Sequence, residues 1–133
     1  MAIEWNPNLE TGIEEIDRQH KKLFESVNKL LDACNKGRGH EEVGATVTFL
    51  GNYIIEHFDA EEDFMLKNGY PQYPAHSRIH RDFLKEYDDL KKEFENEGPT
   101  LNFVLKINHV VVGWLMEHIG KTDKKFAKYL NSK

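Results

Sequence analysis

The sequence predicts an all-α protein: an up-down-up-down four-helix bundle with a short C-terminal helix. Breaker clusters at Asn6-Pro7-Asn8, Gly37-Arg38-Gly39, Asn68-Gly69-Tyr70-Pro71 with Pro74, and Gly98-Pro99 divide the chain. The intervals run about 20 to 30 residues, too long for strands and right for substantial helices. Within them, apolar residues return at steps of three and four or their sums, and strand alternation is sustained nowhere.

In the first helical piece Ile13, Ile16, Leu23, Val27, Leu30 and Cys34 form the apolar stripe, and His20 fills its gap. In the second, Val43, Val47, Leu50 and Ile54 form it, and the next steps land on His57 and Glu61. Gly69 suits the C-terminal cap of that helix. Pro74 suits the first turn of the third, whose stripe is Phe83, Tyr87, Leu90 and Phe94. Traced backwards, that stripe meets His80 and His76. Pro99 is expected in the first turn of the fourth, where Leu101, Leu105, Val111, Val112 and Leu115 lead to His118 and Ile119. Gly120 is expected to let the chain turn, so that Asp123 swings back into the bundle. A fifth helix follows from about Thr122 to Leu130.

Length and composition bound the function. The 133 residues fit one unit, residues 1–133. A chain of this size buries ~68% of its unfolded surface without disulfide staples. The lone Cys34 cannot form an internal disulfide. A formal net charge of −5 argues against nucleic acid as a partner. The apolar runs fall short of the ~20 residues that a membrane span needs. Met1-Ala2-Ile3-Glu4 lacks the pattern of a signal peptide, so a cytoplasmic location is expected. No single exposed apolar stripe is evident, and a monomer is expected.

The polar interruptions of the stripes carry the functional signal. A buried, unpaired carboxylate costs several kcal/mol unless it is paired or binds a metal. His57-x-x-x-Glu61 and His76-x-x-x-His80 are i,i+4 pairs, each projecting from one helix face. His118 and Asp123 straddle the end of helix four. In an antiparallel bundle, the start of helix one meets the ends of helices two and four and the start of helix three. At ~1.5 Å rise per residue, His20, His57, Glu61, His76, His80, His118 and Asp123 fall within roughly 15 Å of one end. This coincidence of face and height points to a metal site. His109 and His40 are expected at the boundary or surface. Glu25, Asp59, Glu62 and Asp63 are expected to face solvent, and Asp17 to cap or to form a salt bridge.

Five imidazole nitrogens and four oxygens from two bridging carboxylates make nine bonds. Two six-coordinate metals share about twelve. One bridging oxide or hydroxide raises nine to eleven and leaves one open position, on the metal with fewer histidines. Imidazole and carboxylate donors without thiolate suit iron or manganese better than zinc. Familiar bundle di-iron sites hold more carboxylates, so this set leans towards reversible binding over oxygen activation.

The runs Asp17-Arg18-Gln19-His20-Lys21-Lys22-Leu23-Phe24 and His57-Phe58-x-x-Glu61-Glu62 recur in a known pattern, with Met65 before Gly69-Tyr70-Pro71 and with His76-x-x-x-His80. Together with Trp114-Leu115-x-x-His118-Ile119-x-x-x-Asp123, they resemble the hemerythrin family in its prokaryotic single-domain form, over essentially the whole chain. The resemblance implies an O2-binding protein, a carrier, store or delivery protein and not an enzyme. It implies two iron ions as cofactor: His76, His80 and His118 on the full iron, His20 and His57 on the five-coordinate iron, Glu61 and Asp123 bridging. It further implies an oxo or hydroxo bridge, with O2 held as hydroperoxide on the five-coordinate iron.

Leu23, Phe58, Trp114, Leu115 and Ile119 flank these ligands by helical spacing and are expected to form a dry pocket for O2. The alternatives are a di-iron enzyme acting on peroxide or nitric oxide, and an O2 sensor with a separate partner. No further histidine or acid is placed for general acid work, which weighs against the enzyme.

Overall fold

The computed structural model describes residues 4–132. Met1, Ala2 and Ile3, on which the expectation of no leader rests, lie outside the described residues. Three long helices, α1 (Glu14–Asn35), α2 (His40–Lys67) and α3 (Tyr73–Glu97), are followed by a fourth helical rod. That rod comprises α4 (Leu101–Lys106), α5 (Gly113–Glu117) and α6 (Lys124–Asn131), joined by π turns over Ile107–Val112 and His118–Asp123.

The chain enters through a single 3-10 turn, Pro7–Leu9, which buries Leu9. Asp17 ties this entry segment down. Its carboxylate accepts from the Thr11 N–H and hydroxyl at 2.8 Å each and from the Gly12 N–H at 3.2 Å. Asp17 was expected to cap or to form a salt bridge; instead it pins the preceding loop, and the N-cap residue Ile13 has no side-chain cap. With Glu14 and Glu15, Asp17 also sets negative charge in the first turn of α1, where the helix dipole favours it.

At the end of α2, Gly69 adopts φ 63°, a conformation costly for other residues. The Tyr70 N–H reaches the Met65 carbonyl at 3.0 Å and the Gly69 N–H reaches that of Leu66 at 3.2 Å. This is the Schellman pattern, and it satisfies carbonyls that a helix end otherwise orphans. Pro74 opens α3 within its first turn, as expected.

The stripes of the first three helices are buried as read, except Ile13 and Cys34, which are half-buried. Gly51 lets α2 approach α3: a Cβ there would stand 2.9 Å from the Tyr87 ring. The Tyr87 hydroxyl in turn donates to the Val47 carbonyl at 2.7 Å.

The fourth rod departs from expectation in three respects. Pro99 precedes the first turn, and Thr100 is the N-cap, its hydroxyl accepting from the Phe103 N–H at 3.1 Å. Leu101 and Leu105 are 75% and 53% exposed, while Phe103, Ile107, Val111 and Leu115 are buried. Steps of four drift about 40° per step on an α-helix. The π turn at Ile107–Val112 holds one residue more per turn and absorbs that drift. Gly120 makes no turn either: the backbone stays helical from His118 through Asp123 into α6.

α1 packs on α2, α2 on α3, and α3 on α4 and the first π turn. Among the described residues, no helix is long and apolar enough to cross a membrane.

Candidate metal centre

Each of the seven residues read as ligands is 4% exposed or less. His20 comes from α1, His57 and Glu61 from α2, and His76 and His80 from α3. His118 and Asp123 open and close the second π turn. Five residues of α-helix would rotate Asp123 about 140° from His118. The wider π repeat brings both to one face, and π turns recur at functional sites for such reasons.

The donors fall into two groups that share both carboxylates. In one, Glu61 Oε1 lies 2.8 Å from His76 Nε2, 3.2 Å from His80 Nε2 and 3.9 Å from His118 Nε2. Asp123 Oδ1 lies 3.1 Å from His76 Nε2 and 3.0 Å from His118 Nε2, and His80 and His118 approach at 3.0 Å. In the other group, Glu61 Oε2 lies 3.6 Å from His20 Nε2 and 3.4 Å from His57 Nε2. Asp123 Oδ2 lies 3.0 Å from His20 Nε2. Each carboxylate thus gives one oxygen to the three-histidine group and the other to the two-histidine group.

These spacings fit a metal. Donors on bonds of about 2.1 Å lie about 3.0 Å apart when adjacent in an octahedron and about 4.2 Å apart when opposite. Most pairs match the first figure, and His118 with Glu61 approaches the second. Hydrogen-bond alignment across the cluster is poor. Both oxygens of Glu61 and of Asp123, and both ring nitrogens of His20 and His76, are buried without a hydrogen-bond partner. So many buried polar atoms without a well-aligned partner in one place suit cations that would satisfy them together.

Electrostatics point the same way. Burial opposes charge on His20 and His76, but Asp123 and Glu61 outweigh it and raise each imidazole to about 9. His118 is raised to about 9 against the same burial, by the charge of Asp123 first. His57 is pushed down by burial. Glu61 and Asp123 are held well below the usual carboxylate range: burial works against this, and the surrounding imidazoles overcome it. Without metal, three raised imidazoles, His20, His76 and His118, therefore surround two carboxylates, a charge pattern that metal cations can replace.

Two supporting residues stand outside the expected set. Gln19 Oε1 accepts from His57 Nδ1 at 2.6 Å. Glu62 Oε2 accepts from His80 Nδ1 at 2.8 Å. Each bond fixes a tautomer that leaves the Nε2 lone pair facing the cluster. Glu62 was expected to face solvent, yet its side chain is only 20% exposed. It lies off the α2 stripe but in the seam against α3, which spacing along one helix does not reveal. The pairing of its neighbour Glu61 with the α3 histidines was the available signal.

Of the expected pocket, Leu23, Phe58, Leu115 and Ile119 are buried and Trp114 is half-buried. Phe58 lies flat on the His80 ring, 3.8 Å between centroids, and Trp114 on the His118 ring at 4.2 Å. Both aromatics therefore also brace the three-histidine side. His40 and His109 are exposed, as are Glu25, Asp59 and Asp63. The His40 ring nevertheless stacks on Phe94 at 4.5 Å.

The family model of the hemerythrin HHE cation binding domain matches residues 11–130. The bacteriohemerythrin of Pseudomonas aeruginosa is 34% identical over 126 residues, spanning 92% of this chain and 78% of its own. That of Methylococcus capsulatus is 34% identical over 122 residues, spanning 92% and 91%. A crystal structure of wild-type hemerythrin superposes with a TM-score of 0.84 at 30% identity, covering 96% of this chain and 97% of that one.

Proposed function

The chain belongs to the hemerythrin family, and from that premise we propose that it binds O2 reversibly at a pair of iron ions. It would act as a carrier, store or delivery protein and not as an enzyme. His76, His80 and His118 would hold one ion and His20 and His57 the other, with Glu61 and Asp123 across both. When bound, the ion pair would supply an open coordination position and two electrons, and a hydroxo bridge the proton, for the hydroperoxide form of O2 that the sequence resemblance implies.

The observation that carries this reading is the division of oxygens. Glu61 and Asp123 each turn one oxygen to the three-histidine group and one to the two-histidine group. The two groups therefore differ by one donor, and the poorer one would leave its ion an open position. Leu23, Leu115 and Ile119, each 1% exposed or less, would keep water from it. Gln19 and Glu62 hold the Nδ1 protons of His57 and His80. Both acceptors are thus committed to ligand rings, and Glu62 also accepts from Ser77. Neither is free to deliver a proton to O2, which favours reversible binding over peroxide or nitric oxide chemistry.

The test is gas stoichiometry on the reduced, iron-loaded protein. The expected result is one O2 taken up per two irons and recovered when O2 is removed. Consumption without recovery would support the enzyme instead.

A further inference from the structure

The two histidine groups differ in what stands behind them as well as in number. The Nδ1–H of His80 donates to a carboxylate, Glu62 Oε2, at 2.8 Å. Glu62 Oε1 accepts from the Ser77 hydroxyl at 2.8 Å, and Ser77 Oγ accepts from Arg81 Nη1 at 2.9 Å. A guanidinium therefore closes the far end of that chain. On the other side, the Nδ1–H of His57 donates to a neutral amide oxygen, Gln19 Oε1, at 2.6 Å. The Nδ1 atoms of His20 and His76 are buried without a partner. The only carboxylate among these ring-nitrogen acceptors thus belongs to the three-histidine group.

A carboxylate drawing on Nδ1–H pushes electron density towards Nε2 and makes the imidazole a stronger donor. Hydrogen bonds to ionised acceptors are about twice as strong as neutral ones, so the amide does this less. Stronger donation favours the ferric over the ferrous ion. We propose that Glu62 sets the order of oxidation in the pair, so that the three-histidine iron gives up its electron before the two-histidine iron. Gln19, being neutral, leaves the iron with the vacancy ferrous for longer. Glu62 reaches the metal only through His80 and is a positioning residue. The inference rests on the di-iron reading above.

The test is an anaerobic redox titration of the iron-loaded protein with hexacyanoferrate(III). The reagent takes one electron per ferrous ion oxidised, and no bond to O2 is involved. Loss of such a partner typically changes metal affinity 10- to 100-fold. If that loss falls on the ferric form, Glu62→Gln raises the first midpoint by ~59 to ~118 mV, at 59 mV per tenfold. Gln19→Glu should lower the second midpoint and narrow the gap between the steps. A Glu62→Gln protein that carries two irons per chain with its first midpoint unmoved overturns the proposal. If that variant does not hold iron, Gln19→Glu decides, and a second midpoint that fails to fall overturns it equally. Wild-type protein that loads two irons but does not release O2 would sink the carrier reading while leaving these potentials readable.

Discussion

Glu61 and Asp123 sit in the core with no well-aligned hydrogen-bond donor, only the histidine nitrogens crowded around them. Burying an ionised group unpaired is costly enough that such residues persist only where something else pairs them. If each spans two metals, neither metal can be held normally without it. Glu61→Ala or Asp123→Ala should lower the iron content from two per chain to one or none, measured by metal analysis of reconstituted protein. Two irons in either variant would remove the bridging role. At the pocket, Ile119→Asn should speed irreversible oxidation of the reduced protein by about tenfold, the effect of ~1.4 kcal/mol on a barrier. The reading that Ile119 keeps water out fails if the rate does not change. The proposed ligands were legible because a polar residue on an apolar stripe is a local contradiction that sequence displays. Glu62 and Gln19 were not, because a seam between two helices depends on how those helices rotate against each other. Nothing in the period of α2 alone distinguishes Glu62 from the exposed Asp63.

At the scale of elements, the first three helices were legible because one period runs through each of them. The fourth rod was not, because its π turns change the period partway along. Asp123 reaches the site through that change and not through the turn that Gly120 suggested. The spacing of α2 from α3 is set by Gly51. A methyl group there would press on the Tyr87 ring, which its hydroxyl fixes against Val47. Overpacking of this kind costs typically 1 to 3 kcal/mol. Gly51→Ala should therefore lower the unfolding free energy by about that amount in denaturant titrations without changing metal content, because the site lies nearer the end of α2 and the start of α3. A stability equal to wild type would show that Tyr87 yields freely.

For the whole molecule, the site couples stability to pH, with opposite signs in the two states. Without metal, His20, His76 and His118 titrate near 9 in the folded chain against 6.5 ordinarily. A raised imidazole stabilises the fold fully below 6.5, and that contribution disappears as the pH rises through 9. Metal-free protein should therefore lose thermal stability between pH 6.5 and 9. With metal bound, protons compete for the same nitrogens, so stability should rise over that range. Loading at pH 7 should release about three protons per chain from the raised imidazoles and about one more from the water that would form a hydroxo bridge, as read by a pH indicator. A rise in the stability of metal-free protein across that range would contradict the raised imidazoles.

The most direct test of the central claim, a two-metal site that holds O2 and lets it go, is optical. Reduced protein with two irons per chain is exposed to air, its visible spectrum is recorded, and O2 is then removed under inert gas. The account predicts an absorption band that appears with air and vanishes on deoxygenation, through repeated cycles. A band that never forms, or that forms once and does not reverse, would contradict it.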